Sequence, residues 1–366
     1  MKFPARALAI SFAVAIAGPV ACGPGRGGPA AVGPVRWRWR PPAPASMGMP
    51  AADAASVVAE YGHWFLVLFG PRGDVRWRAQ RLGFREEAPL LLSDLVVAPA
   101  DDGLVAIERG SGRIVWDATF GEHAATPVRV GPLVVTSTTE GSLVAVEVAT
   151  GRVAWRLALH GAAEGPPATD GRTVVATWEP DQGTEAGITA VDGESGALRW
   201  TRPLRAGGVS GPAVVTSPRG RAVAVAVDDD LEAKGFDLDT GERRWRVGLG
   251  GAGSPEVPPL ALPGARVLVA DRDAGLTMVG TDGRRHWHTR VGGAAERGAP
   301  VGPTAGGVFA VPLWSGRYLL AADGKRSRTV QPPGGVVNGV AVGPGGVLVV
   351  ATAQGRDNQL VAYGPA

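Results

Sequence analysis

The chain has 366 residues, including 55 glycines and 31 prolines, and 45% of it is hydrophobic, enough apolar material for a sizeable core. Charged residues make up only 19%, and 37 basic against 34 acidic side chains leave a formal charge of +3, which argues against a solvating charged tail and against nucleic acid as a partner. A single cysteine rules out a disulfide framework and any multi-cysteine zinc site.

Lys2 and Arg6 precede an apolar run, Ala7 to Ala17, followed by Gly18-Pro19-Val20-Ala21-Cys22. A basic start and a short apolar run predict a secretory signal peptide over residues 1–21. The run is too short to span a bilayer, which needs about 20 residues. The junction resembles a bacterial lipobox, with Pro19 where such signals usually carry leucine, so Cys22 is the expected lipidation site. Cleavage after Ala15-Ile16-Ala17 is the alternative. Export is expected, with the N-terminal lipid as the contact to a bacterial membrane. Residues 22–32 then form the acylated end and a Gly/Pro/Ala tether.

From residue 33 onward the sequence repeats. A glycine stands four residues before a tryptophan at Gly33/Trp37, Gly73/Trp77, Gly112/Trp116, Gly151/Trp155, Gly196/Trp200, Gly241/Trp245 and Gly283/Trp287; an eighth copy, Gly324 to Arg328, loses the tryptophan. The marks lie 39 to 45 residues apart. Alternating runs such as Leu104–Ile107 and Leu143–Val146 precede each glycine, and β-rich runs such as Leu133–Thr136 and Val223–Val227 precede those. Four strands in each period predict an all-β fold, an eight-bladed β-propeller of four-stranded antiparallel blades over residues 33–366. The C-terminal runs Val347–Val350 and Leu360–Tyr363 lack an outer strand, and Val35–Trp39 is an orphan one. Pairing the two closes the ring and removes free edges. Seven blades remain the alternative, because residues 41–62 are weakly patterned and Ala51 to Glu60 also suits a short helix.

The copies Ala106 to Trp116, Ala190 to Trp200 and Phe236 to Trp245 resemble the tryptophan-docking motif of pyrroloquinoline-quinone-type propellers, roughly Ala-x-Asp-x-x-Thr-Gly-x-x-x-Trp. The resemblance covers residues 33 to 366. It implies a docking role between blades for Trp37, Trp77, Trp116, Trp155, Trp200, Trp245 and Trp287. WD repeats fit poorly, since Gly62-His63 and Trp116-Asp117 fall in different copies. The dehydrogenases of the family carry a vicinal disulfide, a calcium site and long insertions. One cysteine and a chain filled by eight repeats place this sequence in the non-catalytic branch, with no cofactor expected. It is similar in size, anchor, blade number and repeat to the propeller lipoproteins of outer-membrane β-barrel assembly.

No metal site is expected either. His286 and His288 flank Trp287 with no third ligand near in sequence, and Asp228-Asp229-Asp230 and Asp271-Arg272-Asp273 lack the loop of an EF-hand. The turns between second and third strands nonetheless gather carboxylates at one end of the blades. The candidate partner-binding set is Asp101, Asp102, Glu140, Trp178, Glu179, Asp181, Asp228, Asp229, Asp230, Asp271, Asp273 and Trp314. Fourth strands carry arginines instead. The expectation is a monomeric binding scaffold docking a basic envelope protein or peptide on the acidic rim. The alternatives are a propeller binding a sugar or peptide, or sensing one, and, third, a quinoprotein enzyme.

Overall fold

Runs of valine, alanine and leucine form the strands, and glycine, aspartate and serine turn the chain between them. The computed structural model describes residues 33–364 apart from 43, 181–184, 218, 250–256, 271–274, 291–301, 303–308, 313–317, 323–325, 331–335 and 354–356. Within these residues the chain makes eight antiparallel sheets, the first seven being meanders over 51–80, 90–119, 128–158, 162–205, 213–248, 260–290 and 309–330. The remaining sheet joins both ends of the chain. Val336–Val342, Leu348–Ala353 and Leu360–Tyr363 are completed by Val35–Trp39, with Trp37 opposite Ala362 and Trp39 opposite Leu360. Residues 51–60, where a helix was the alternative, form the strands Ala51–Ala52 and Val57–Tyr61. Val57, Val58 and Ala59 are buried on both strand faces, which suits a strand lying between neighbouring sheets.

The apolar core lies between sheets. Leu66, Leu68 and Trp77 of the 51–80 sheet pack with Val96, Val105 and Ile107 of the 90–119 sheet, and Ala106 and Trp116 pack with Val134 and Val144 of the next. The terminal sheet joins in the same way, as Leu360, Ala362, Trp37 and Trp39 pack with Val57, Val67 and Phe69.

Each repeat's tryptophan sits just after a β-bulge. The outer strands carry one unpaired residue before it, at Arg36, Arg76, Val115, Ala154, Arg199, Arg244 and His286. The extra residue rotates the strand, and the indole turns toward the next sheet. The strand Arg326–Val330, whose copy has no tryptophan, pairs without a bulge. In the next sheet a glycine at positive φ receives the ring. A Cβ on Gly112 would lie 2.8 Å from Trp77, one on Gly151 2.8 Å from Trp116, and one on Gly241 2.6 Å from Trp200. The indole nitrogens of Trp77, Trp116, Trp155, Trp200 and Trp245 donate to the carbonyls of Arg109, Val148, Gly193, Leu238 and Thr281 in the neighbouring turns, at 2.7 to 3.2 Å. Four arginines pair with the acid at the start of their own third-to-fourth-strand turn: Arg113 with Glu108 and Arg152 with Glu147 from the turn itself, Arg199 with Asp192 and Arg244 with Asp237 from the outer strand. The Arg199 guanidinium, helped by Ser195, holds the Asp192 carboxyl far below the usual carboxylate range.

Candidate functional site

In a four-stranded meander the second-to-third-strand turns and the links to the next sheet share one end. Among the described residues, this end carries most of the acids that the sequence singles out. Asp101, Asp102, Glu140, Asp229 and Asp230 lie there in exposed or half-exposed turns. Cys22, Asp181, Asp271, Asp273 and Trp314 fall outside the described residues.

Two expectations need correction. Trp178 is no surface anchor: at 9% exposure it belongs to the strand Thr173–Glu179, opposite Gly187, with its indole nitrogen 3.0 Å from Thr189 Oγ1. The hairpin continues past the expected turn because Gly187 makes room for the ring, a Cβ there lying 2.2 Å from it. Asp228, with no exposed surface, is likewise no rim carboxylate. It takes the Lys234 ammonium at 2.5 Å and the Arg205 N–H at 3.0 Å. Burial of an acid demands such a paired cation. Glu179 is half-buried and accepts the N–H groups of Gly207, Gly208 and Val209, closing the link to the next sheet.

The exposed carboxylates are also paired within the chain. Arg81 bridges Asp102 at 2.6 Å and Asp117 at 2.7 Å, Arg85 lies 3.6 Å from Asp101, Arg205 lies 3.3 Å from Asp230, and His123 binds Glu140. The Lys234 ammonium, more than the two arginines nearby, lowers the Asp230 carboxyl below its ordinary range. The rim is therefore far closer to neutral than a count of its acids suggests. Exposed pairs of this kind are worth about 0–1 kcal/mol each, so a partner's cation can exchange with them.

An aromatic that sequence reading missed stands out on this end. Trp64 is 49% exposed and Leu82 64% exposed. Two successive left-handed residues, Gly62 at φ +67° and His63 at φ +60°, set the turn that presents Trp64. The link 81–83 is tied against it, with Arg81 N–H on the Trp64 carbonyl at 3.0 Å and Gly83 N–H on that of His63 at 2.9 Å. A Cβ on Gly83 would lie 3.2 Å from the Asp101 carboxylate, so the apolar pair has an exposed acid at its border. The Gly62-His63 dipeptide was the available signal, since glycine before a residue tolerant of positive φ marks a tight turn.

Beneath this turn Glu60 is wholly buried. Its Oε1 accepts the His63 N–H, while Oε2 has no partner among the described residues. Burial first, and the charges of Glu86 and Asp101 in addition, push its carboxyl well above the usual glutamate range. The folded state thus holds a proton that the unfolded chain releases near pH 4–5, and stability falls as pH rises from there through the raised folded value. Replacing Glu60 with Gln removes that loss. The expected result is a melting temperature roughly 2–5 °C above wild type at pH 8, with the gap closing at pH 4. A gap independent of pH in thermal melts would uncouple Glu60 from this titration.

Among the described residues no group of three or more His, Cys, Asp or Glu side chains is placed to hold a metal ion. The family model described as outer membrane protein assembly factor BamB matches residues 30–162, 100–229 and 139–331, overlapping as one repeat pattern fits successive registers. The crystal structure of BamB from Moraxella catarrhalis is similar, with a TM-score of 0.65 and 17% identity over 91% of this chain and 98% of that one, a likeness of fold. No curated protein matches the chain.

Proposed function

This chain belongs to the family of the outer membrane protein assembly factor BamB, and from that premise we propose that it is a non-catalytic, exported scaffold that docks another envelope protein. Its form is a monomeric eight-bladed ring closed by the Val35–Trp39 strand and anchored through lipid on Cys22. Eight sheets, the pairing of both chain ends and the contact of Phe309–Pro312 with Val336–Val342 support the ring. The lipobox-like junction supports the anchor.

The observation that carries the docking role is the Trp64–Leu82 pair. An exposed indole beside an exposed leucine, rimmed by carboxylates, has the composition of a binding hot spot. The matching partner surface offers an apolar side chain to the pair and a basic one to Asp101 and Asp102. Substituting Trp64→Ala together with Leu82→Ala should lower recovery of the main envelope protein co-purified with the tagged chain at least tenfold, chiefly through faster dissociation. Both side chains are exposed, so the melting temperature should stay within a few degrees of wild type. Undiminished recovery with the double variant would move the docking site elsewhere.

A further inference from the structure

The opposite end of the sheets holds a cavity of about 680 Å³ between the 213–248 and 260–290 sheets, lined by Arg219, Arg221, Arg244, Trp245, Thr281 and Asp282. Two local features shape it. At the seam between the 51–80 and 90–119 sheets, the residue whose carbonyl receives the indole N–H is Arg109. Its guanidinium donates to the Leu92 carbonyl of its own sheet and crosses the seam to Asp53 and Ser56. At the Trp245 seam the same position is Thr281, and at the Trp116, Trp155 and Trp200 seams it is Val148, Gly193 and Leu238, so none of these seams carries the guanidinium of Arg109. The first-to-second-strand turn facing Thr281, 217–221, has five residues, as does 343–347 in the terminal sheet, whereas the corresponding turns at 53–56, 92–94, 131–132, 170–172 and 263–265 have two to four.

The 217–221 turn places Arg219 and Arg221 in the wall of the cavity, with Thr281 and Asp282 lining it from the next sheet. Neither arginine has a carboxylate partner among the described residues, whereas Arg244 is held by Asp237. Two guanidinium groups that line a concave, partly apolar site with no carboxylate paired to either among the described residues raise the local potential for an anion, and their forked donors suit a phosphate. On the far wall Asp282 takes the Arg284 N–H on Oδ1 at 3.0 Å, and its second oxygen has no donor among the described residues. That oxygen suits a ligand hydroxyl, and Trp245 with Val223 adds an apolar wall. The volume lies within the usual 300–1,000 Å³ of small-molecule sites.

We propose that this cavity binds a phosphate ester of a polyol, with the phosphate on Arg219 and Arg221 and a neighbouring hydroxyl on Asp282. A free sugar phosphate and the headgroup of phosphatidylglycerol both present this chemistry. The test uses the full chain carrying Cys22→Ser, which has no acylation site. Glucose 6-phosphate is titrated by calorimetry, and cosedimentation is measured with phosphatidylcholine vesicles with and without phosphatidylglycerol. Saturable binding of the sugar phosphate, or of the phosphatidylglycerol vesicles alone, identifies the source. In either case affinity should drop at least tenfold with Arg219→Gln plus Arg221→Gln, and with Thr281→Trp, which fills the cavity without adding charge. No saturable binding of either probe, or binding that all these variants leave unchanged, overturns the proposal.

Discussion

Deleting residues 33–40 should lower the melting temperature by on the order of 10 °C or more, whereas deleting residues 23–32 should leave it within a degree or two. The first deletion removes Val35–Trp39, the outermost strand of the sheet built from both chain ends. With it go Trp37, stacked on Phe69 at 5.8 Å between ring centres, and Trp39, edge-on to the same ring at 5.1 Å. Losing one well-packed tryptophan typically costs about 3–5 kcal/mol, and these two share one core with Val57, Val67 and Leu360. The Leu360–Tyr363 strand would also become a free edge, a template for pairing between molecules. Light scattering on heating should therefore rise for the first deletion and not for the second. Equal melting temperatures for the two deletions would show that the terminal strand does not hold the sheets together.

A single substitution within the tryptophan–glycine contact should come close to that effect. Gly151 sits at φ +75° with an added Cβ only 2.8 Å from the Trp116 side chain. Gly151→Val places a β-branched residue in a left-handed conformation, at about 1–3 kcal/mol of strain. It also displaces the indole from its contact with the Val148 carbonyl at 2.8 Å. Together these imply a loss of roughly 3 kcal/mol or more, read as a shift of the urea midpoint. Gly110 is the control, because a Cβ there meets nothing within 4 Å, and Gly110→Ala should be neutral. If both variants unfold at the wild-type midpoint, the tryptophan–glycine contact is not a stabilising unit.

Much of this architecture is legible in the sequence, because the physics that sets it is local. Glycine four residues before tryptophan marks a turn that needs positive φ and an indole that needs a neighbour without a side chain. The orphan run Val35–Trp39 and the unfinished C-terminal sheet likewise complement each other by pattern alone. The bulge before each tryptophan is not legible, since periodicity gives no sign of one unpaired residue. The candidate site is read less well. Trp178, expected in a turn, lies instead in paired strand, because Gly187 across the ladder accepts the ring. Asp228 reads as one of three exposed acids until the fold brings Lys234 and the Arg205 amide to it. Asp102 reads as free until Arg81 arrives from the link between sheets. The Arg81 and Arg205 contacts depend on approach between strands distant in sequence, and the Lys234 contact on the register of one hairpin, which residue spacing alone does not reveal.

The proposed docking face is tested most directly by photo-crosslinking in intact cells, with a crosslinking residue placed in turn at Trp64, Leu82 and Asp101, and at Arg76, Arg243 and Arg285 on the outer strands. Positions 64, 82 and 101 should capture the same envelope protein, and the outer-strand positions should not. Capture from the outer strands alone, with 64, 82 and 101 silent, would contradict the assignment of the second-to-third-strand end as the binding face.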